Sequence, residues 1–389
     1  MPGASQQTKG QQEGFYAATI RHHDGEFWVV CEYLGLPDGM LGTVFKTSDP
    51  FDAAGWGDPY TFPTPNGDLD LFWDDDGQMY IPGGGHVLLD VDLEAGTVVN
   101  NTFLWAGTGD LFQDSDGNWW GVALTTRSGP EWRIYPMGRE TVMFPVTWRE
   151  GEWPILEPVR GKMSGWPMPA TSRDLPGDGP FNSDPDSYDF TTLSSIPRNL
   201  IHWRVPTEGT FSIDASPQTD SLFTFQAVID APLTYVDQET GVTFCLTQFN
   251  HADVAIVILP KTDVSGGNAR MLRLRATGED APAENLVNVP EAWGDDPIRF
   301  RIAKVNSTHY MMAASQASQP DQQVVMSTFS ARLVSGQSGP FKGLLVGTYA
   351  TCNGAGSGVN SPSGGDVWVM EWLYEGKGQY YTATDQVPE

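Results

Sequence analysis

The sequence predicts an all-β chain, an array of propeller blades followed by a β-sandwich, and three observations predict it. Its 389 residues include 43 Gly and 29 Pro and carry no long apolar pattern of period 3.6, so strands rather than helices are expected. A unit made of an apolar strand, an Asp-Gly turn and an aromatic return strand occurs three times in the first third of the chain. Beyond it, period-2 alternation recurs almost to the C-terminus.

The first copy runs Ala17-Ala18-Thr19-Ile20-Arg21-His22-His23-Asp24-Gly25-Glu26-Phe27-Trp28-Val29-Val30. The second is Gly67-Asp68-Leu69-Asp70-Leu71-Phe72-Trp73-Asp74-Asp75-Asp76-Gly77, returning through Met79-Tyr80-Ile81. The third is Asp110-Leu111-Phe112-Gln113-Asp114-Ser115-Asp116-Gly117-Asn118-Trp119-Trp120. Asp-Gly between apolar stretches marks a hairpin because glycine supplies the positive φ that a tight turn needs. Repeats of about 40–50 residues are the period of four-stranded propeller blades, each of which buries its faces only against its neighbours. The turn aspartates 24, 76 and 116 lie 52 and then 40 residues apart, so the stretch between Gly77 and Asp116 is shortened. Asp68, at the entrance of an apolar strand, either caps a turn through its own backbone or lines the mouth of a central channel.

Composition removes several function classes. Forty-nine acidic against 22 basic side chains give a formal charge of −27, a field that repels phosphate backbones and anionic lipid, so neither nucleic acid nor membrane is an expected partner. No apolar run of about 18 residues is present, and Met1–Gly14 is polar and Gln-rich without the apolar core of a signal peptide. Fourteen Trp, 19 Phe and 12 Tyr suit large cores or stacking platforms for flat ligands such as sugar rings. Cys31, Cys245 and Cys352 are odd in number and widely spaced, which indicates neither a zinc site nor a disulfide framework. His22, His23, His86, His202, His251 and His309 have no metal-ligand spacing, and Asp74-Asp75-Asp76-Gly77 lacks the alternation of a calcium loop. No metal and no cofactor is expected.

The segments YAATIRHHDGEFWVV, GDLDLFWDDDGQMYI, DLEAGTVV followed by WAGTG, DLFQDSDGNWWGVAL and MGRETVMFPVTW resemble, in order, segments of glycoside hydrolase family 43, the β-xylosidase and α-L-arabinofuranosidase group. The resemblance covers Phe15 to about Pro158, and the stretch from about Pro197 to Glu375 is similar to the sandwich that follows the propeller in the fungal β-xylosidase branch. It implies a five-bladed β-propeller, incomplete here, followed by a concanavalin-like β-sandwich. It also implies an inverting hydrolase of O-glycosyl bonds in xylan- and arabinoxylan-derived saccharides. Inversion needs one carboxyl group to protonate the leaving oxygen and another to activate water, about 6.5–9.5 Å apart.

Carried over residue by residue, the resemblance makes Asp68 the counterpart of the aspartate that tunes the acid's pKa, although Gly67 and Leu69-Asp70 replace the family's flanking residues in I-D-P-S-L-F. Arg139 matches an arginine that reaches the sugar in the first subsite, where a planar five-donor fork suits vicinal hydroxyls, and an ion pair with Glu140 is its structural alternative. Trp73, with Trp105, Trp119 and Trp120, is a candidate sugar platform.

The family's general base precedes the first strand. Only Met1–Gly14 lies there, without an aspartate, so the base is expected to have no counterpart. The acid's E-G-P-H segment belongs between WAGTG and DLFQDSDG, where Gly109 runs directly into Asp110, and neither Glu94 nor Glu131 is promoted to replace it. The expectation is a truncated or internally deleted member without turnover. The rival reading is a non-catalytic carbohydrate-binding protein.

Residues 15–160 are thus read as a partial propeller, 161–197 as a linker rich in Pro, Gly, Asp and Ser, and 198–376 as the sandwich. In the last, Ile298-Arg299-Phe300-Arg301-Ile302 and Leu272-Arg273-Leu274-Arg275-Ala276 place apolar side chains on one face and arginines on the other. Further strands are read over 221–229, 242–248, 254–259, 309–314, 344–350 and 367–374, and Gly354–Gly358 is read as a loop. Sequons at Asn100 and Asn306 are compatible with an extracellular route without indicating a compartment, and nothing indicates an oligomeric state.

Overall fold

The computed structural model describes residues 14–387 except 65–66, 74–76, 84–86, 104–108, 127–136, 150, 153, 160–162, 170–185, 198, 203–213, 218–219, 262–265, 335–342, 353–365 and 381–385. Contacts divide the chain into two units. The first comprises residues up to Phe112 together with Trp120–Ala123, and the second comprises Gln113–Trp119 and Leu124 onward. Among the described residues there are strands and two short 3₁₀ turns but no α-helix.

Strands β1 (Gly14–His23), β2 (Glu26–Leu36), β3 (Gly39–Thr47) and β4 (Tyr60–Pro63) form one four-stranded antiparallel meander. A second is built from β5 (Phe72–Trp73), β6 (Met79–Gly83), β7 (Val87–Asp92) and β8 (Thr97–Phe103). A third sheet has the order β12-β11-β10-β9, from β9 (Gly109–Gln113), β10 (Trp119–Thr126), β11 (Arg139–Thr147) and β12 (Ile155–Leu156). The first Asp-Gly turn closes as expected: Asp24 and Gly25 both have positive φ between β1 and β2.

The first two sheets share one core. Val30, Val44 and Phe62 from the first meet Ile81, Leu89 and Val91 from the second, with Leu69 and Leu71 between them. Burying a side chain of this size contributes roughly 1.5–3 kcal/mol, so eight of them account for why neither meander is expected to stand alone. The sheets approach closely at Gly96, in the β7–β8 turn. With φ at 64°, its position would put a Cβ 2.7 Å from the Thr61 carbonyl oxygen, which excludes any larger residue.

The second unit holds two seven-stranded sheets, each with its strands in a non-sequential order. Their strands are β13 (Ser187–Asp189), β14 (Ile201–His202), β15 (Asp214–Pro217), β16 (Leu222–Asp230), β17 (Glu239–Thr247), β18 (Asn250–Pro260), β19 (Asn268–Thr277), β20 (Asn285–Asn288), β21 (Ile298–Asn306), β22 (His309–Gln316), β23 (Val324–Ser330), β24 (Leu345–Thr351), β25 (Trp368–Tyr380) and β26 (Gln386–Val387). One sheet runs β13-β25-β16-β21-β22-β23, with β26 on β25, and the other runs β14-β15-β24-β17-β18-β19-β20.

Alternation explains the packing. Phe223, Phe225, Phe300, Ile302, Tyr310, Met312 and Trp372 of one sheet share a core with Val242, Phe244, Val254, Ile256, Leu272, Leu274 and Val346 of the other. Phe244 and Tyr310 meet edge to face across it, with ring centroids 4.3 Å apart. The eight sandwich strands read from the sequence all appear. Ser187–Asp189, in the stretch read as linker, pairs with β25 as an edge strand, because Tyr188 and Phe190 reach the sandwich core. The linker stretch 170–185, the turn Asp74–Asp76 and the loop Gly354–Gly358 lie outside the described residues.

Candidate functional site

Asp68 sits on the segment that leads into β5. Leu69 and Leu71 are buried in the first core, so Asp68 and Asp70, one position out of phase, are left outside it, the first exposed and the second half-buried. The segment lies over Glu32 of β2, which is only 4% exposed. The backbone amides of Asp68 and Leu69 hydrogen-bond to the Glu32 carboxylate, while burial, reinforced by the charge of Asp68, raises its pKa. A Cβ on Gly67 would lie 3.0 Å from Glu32 Oε1, so a larger residue there would press on the carboxylate. Asp68 itself has φ at 52°, a left-handed conformation that aspartate tolerates better than most residues. A buried carboxylate thus holds the backbone that presents an exposed one.

One arginine joins three sheets at this end of the first unit. Arg21 Nη2, from β1, lies 2.6 Å from Asp70 Oδ2 and 2.6 Å from Asp110 Oδ1 of β9. Asp70 is further fixed by its own amide, which donates to the Pro82 carbonyl of β6 at 2.8 Å. Burial raises the Asp70 pKa, and the guanidinium of Arg21 works in the opposite direction. A single cation pairs with both carboxylates, so the triad ties together β1, the segment before β5 and β9. Arg21→Met should leave two neighbouring carboxylates without their cation. It is expected to destabilise the chain by about 1–2 kcal/mol at pH 7. Urea titrations should show a smaller loss at low pH, where the Asp70 carboxyl, its pKa raised by burial, takes up a proton.

Of the residues singled out by sequence, Trp73 is half-buried and stacks on His23 with ring centroids 4.3 Å apart and planes 10° apart, and it meets Trp28 edge-on at 5.7 Å. One face of the indole is therefore taken up by packing. Trp120 is 4% exposed, and Trp119 packs on Trp148. Arg139 begins β11, is exposed and belongs to the second unit, whereas Asp68 and Trp73 belong to the first. Glu94 is exposed in the β7–β8 turn, where Asp92 Oδ1 accepts from the Ala95 amide at 2.9 Å. Trp105 and Glu131 lie outside the described residues.

Glu32, Arg21 and Asp110 escaped the sequence reading. Asp70 and Asp110 carried a signal: each stands six residues before the aspartate of its Asp-Gly turn, the same position in two repeats. Glu32 carried none, since a glutamate on a half-buried strand reads as solvent-facing.

No family model matches the chain. A non-reducing end α-L-arabinofuranosidase of Bacteroides ovatus, BoGH43B, is 25% identical over 274 residues, which is 66% of this chain and 49% of that protein. The chain thus spans about half the length of this curated relative. Among solved structures, the B. ovatus xyloglucan GH43B superposes with a TM-score of 0.67 at 20% identity, over 94% of this chain and 86% of that one. The GH43 protein BlXynB of Bacillus licheniformis gives 0.69 at 13% identity over 93% and 86%. A xylan β-1,4-xylosidase of Bacillus halodurans gives 0.63 at 15% identity over 93% and 87%. With its meanders, its sandwich and these superpositions, the chain has the fold of glycoside hydrolase family 43 proteins.

Proposed function

We propose that this chain is a glycosidase by descent, built on an inverting hydrolase of xylan- or arabinoxylan-derived saccharides, a β-xylosidase or α-L-arabinofuranosidase, and that in its present form it holds a pentose without cleaving it. In this reading residues 15–160 supply part of a five-bladed propeller, 161–197 the linker and 198–376 the sandwich. Asp68 is the polar anchor of the sugar and the face of Trp73 turned away from His23 a stacking surface, while the resemblance alone assigns Arg139, in the second unit, a sugar contact.

The observation that carries the reading is the contrast between Asp68 and Asp110. Asp68 is exposed on a backbone held by Glu32, a presentation that costs a left-handed φ and suits a ligand contact. Where the resemblance calls for an acid-bearing segment, β9 begins instead, and its Asp110 is already ion-paired to Arg21. Losing a general acid alone typically costs about 10²–10⁴ in rate.

Purified chain is expected to show no turnover of aryl β-xylosides or aryl α-L-arabinofuranosides above background, and weak binding of xylose that Asp68→Ala abolishes. Turnover that disappears in Asp68→Ala would overturn the loss of catalysis and leave the glycosidase reading standing. Absence of both turnover and pentose binding would overturn the reading for this chain.

A further inference from the structure

The sandwich carries a second polar site, on the outward face of the β16-β21-β22-β23 sheet. There a depression of about 220 Å³ is lined by Gln226, Arg299, Arg301, Ser315, Asp321 and Gln323. Its floor is set by register: Arg301 of β21 lies between Gln226 of β16 and Ala313 of β22, and Arg299 lies between Val228 and Ser315. Phe300 and Ile302 alternate with the two arginines and anchor the strand in the core, so the guanidinium groups are presented from a rigid sheet. Asp321 and Gln323, from the segment joining β22 to β23, form the wall.

Each arginine is held by one end of its fork. Arg299 Nη2 pairs with Glu371 Oε2 at 2.8 Å, and Arg301 Nη1 donates to Gln323 Oε1 at 3.4 Å. The Nε of both is shielded from solvent and has no acceptor. Because each fork is bonded through a single Nη, the other Nη of each, side by side on one face, is the donor that an acceptor in the depression can reach. A group with two oxygens in one plane matches a guanidinium best. The lining also supplies two carboxamides and a hydroxyl, which suit sugar hydroxyls, beside the apolar Ala313, Ala314 and Pro320. Asp321 at the rim disfavours a doubly charged phosphate or sulfate ester. The volume, below the roughly 300–1,000 Å³ of sites for larger ligands, accommodates about one ring.

We propose that this depression binds a single uronic acid residue, its carboxylate on Arg299 and Arg301 and its hydroxyls on Gln226, Ser315 and Gln323. The proposal concerns the second unit alone and does not depend on the glycosidase reading.

The test is titration of the full chain with D-glucuronic acid, followed by calorimetry or by NMR. Saturable binding with Kd on the order of 1 mM is expected, weakening as salt rises, with methyl glucoside at least about tenfold weaker because it lacks the charge. Arg301→Met, whose only named partner is Gln323, should weaken glucuronate at least about tenfold while leaving the melting temperature unchanged. Gln226→Leu, which removes a hydroxyl contact and keeps both arginines, should weaken glucuronate but not acetate. Absence of saturable glucuronate binding, equal affinity for the neutral sugar, or full affinity in Arg301→Met would each overturn the proposal. Acetate binding as tightly as glucuronate would overturn the saccharide part.

Discussion

Replacing Glu239 by alanine is expected to destabilise the sandwich by about 3–5 kcal/mol, the cost of stranding a buried charge. Glu239 is 1% exposed and Arg273 5% exposed, on the face of the β24-β17-β18-β19 sheet that looks away from the core. Glu239 Oε2 pairs with Arg273, its Oε1 lies 3.1 Å from Arg275 Nη2, and Tyr349 donates to the same oxygen at 2.5 Å. Burial pushes the Arg273 pKa down and that of Tyr349 well up, so both groups have been withdrawn from water. Without the carboxylate, Arg273 keeps its charge against the more distant and exposed Glu284, whose Oε1 lies 3.9 Å from Nη1.

Urea unfolding of Glu239→Ala should show the full loss. The double substitution Glu239→Leu with Arg273→Leu should recover most of it, because removing both charges also removes the burial cost. A single substitution costing less than about 1 kcal/mol would show that the pair contributes no more than a surface ion pair does.

This network marks where the sequence reading was right and where it fell short. Alternation in Leu272-Arg273-Leu274-Arg275 correctly placed leucines in the core and arginines opposite. Period 2 separates faces but says nothing about what covers the second face, so the burial of Arg273 was invisible. The repeats were legible because each unit carries its own turn chemistry, and Asp24-Gly25 folds as that chemistry dictates.

The site was only partly legible. Asp68 stood out because a carboxylate interrupts an apolar strand, but its support comes from Glu32, thirty-six residues earlier and on another sheet. The Arg21, Asp70 and Asp110 triad is also a contact across sheets, and such contacts are set by packing rather than by local pattern. From sequence Trp73 reads as core, the commoner fate of an aromatic, or as a platform. Its stack on His23 assigns one face to packing, a distinction that only coordinates supply.

The second large effect concerns Lys304, which is 6% exposed and lies against Tyr310. Its Nζ donates to the Tyr310 hydroxyl at 3.1 Å and sits 4.3 Å from the ring centroid. Burial lowers its pKa from 10.5 to about 7. Between these values the unfolded chain keeps the proton that the native chain has released, so the unfolded state binds more protons and stability rises with pH across that window. Below about pH 7 the native state carries the charge in the core, and the penalty is complete.

A shift of this size corresponds to roughly 5 kcal/mol, and loss of the contacts that Lys304 makes, the Tyr310 hydroxyl and ring among them, offsets about 2. Lys304→Met, which conserves shape, should therefore stabilise the chain at pH 6 by on the order of 3 kcal/mol. Melting should rise by about 6–12 °C, at 2–4 °C per kcal/mol for a unit of this size. The advantage should shrink steadily from pH 7 and be gone above pH 10.5, where both states become neutral at this position. A pH-independent gain, or none at pH 6, would mean that Lys304 keeps an ordinary pKa in the fold and that its ammonium is not isolated from water.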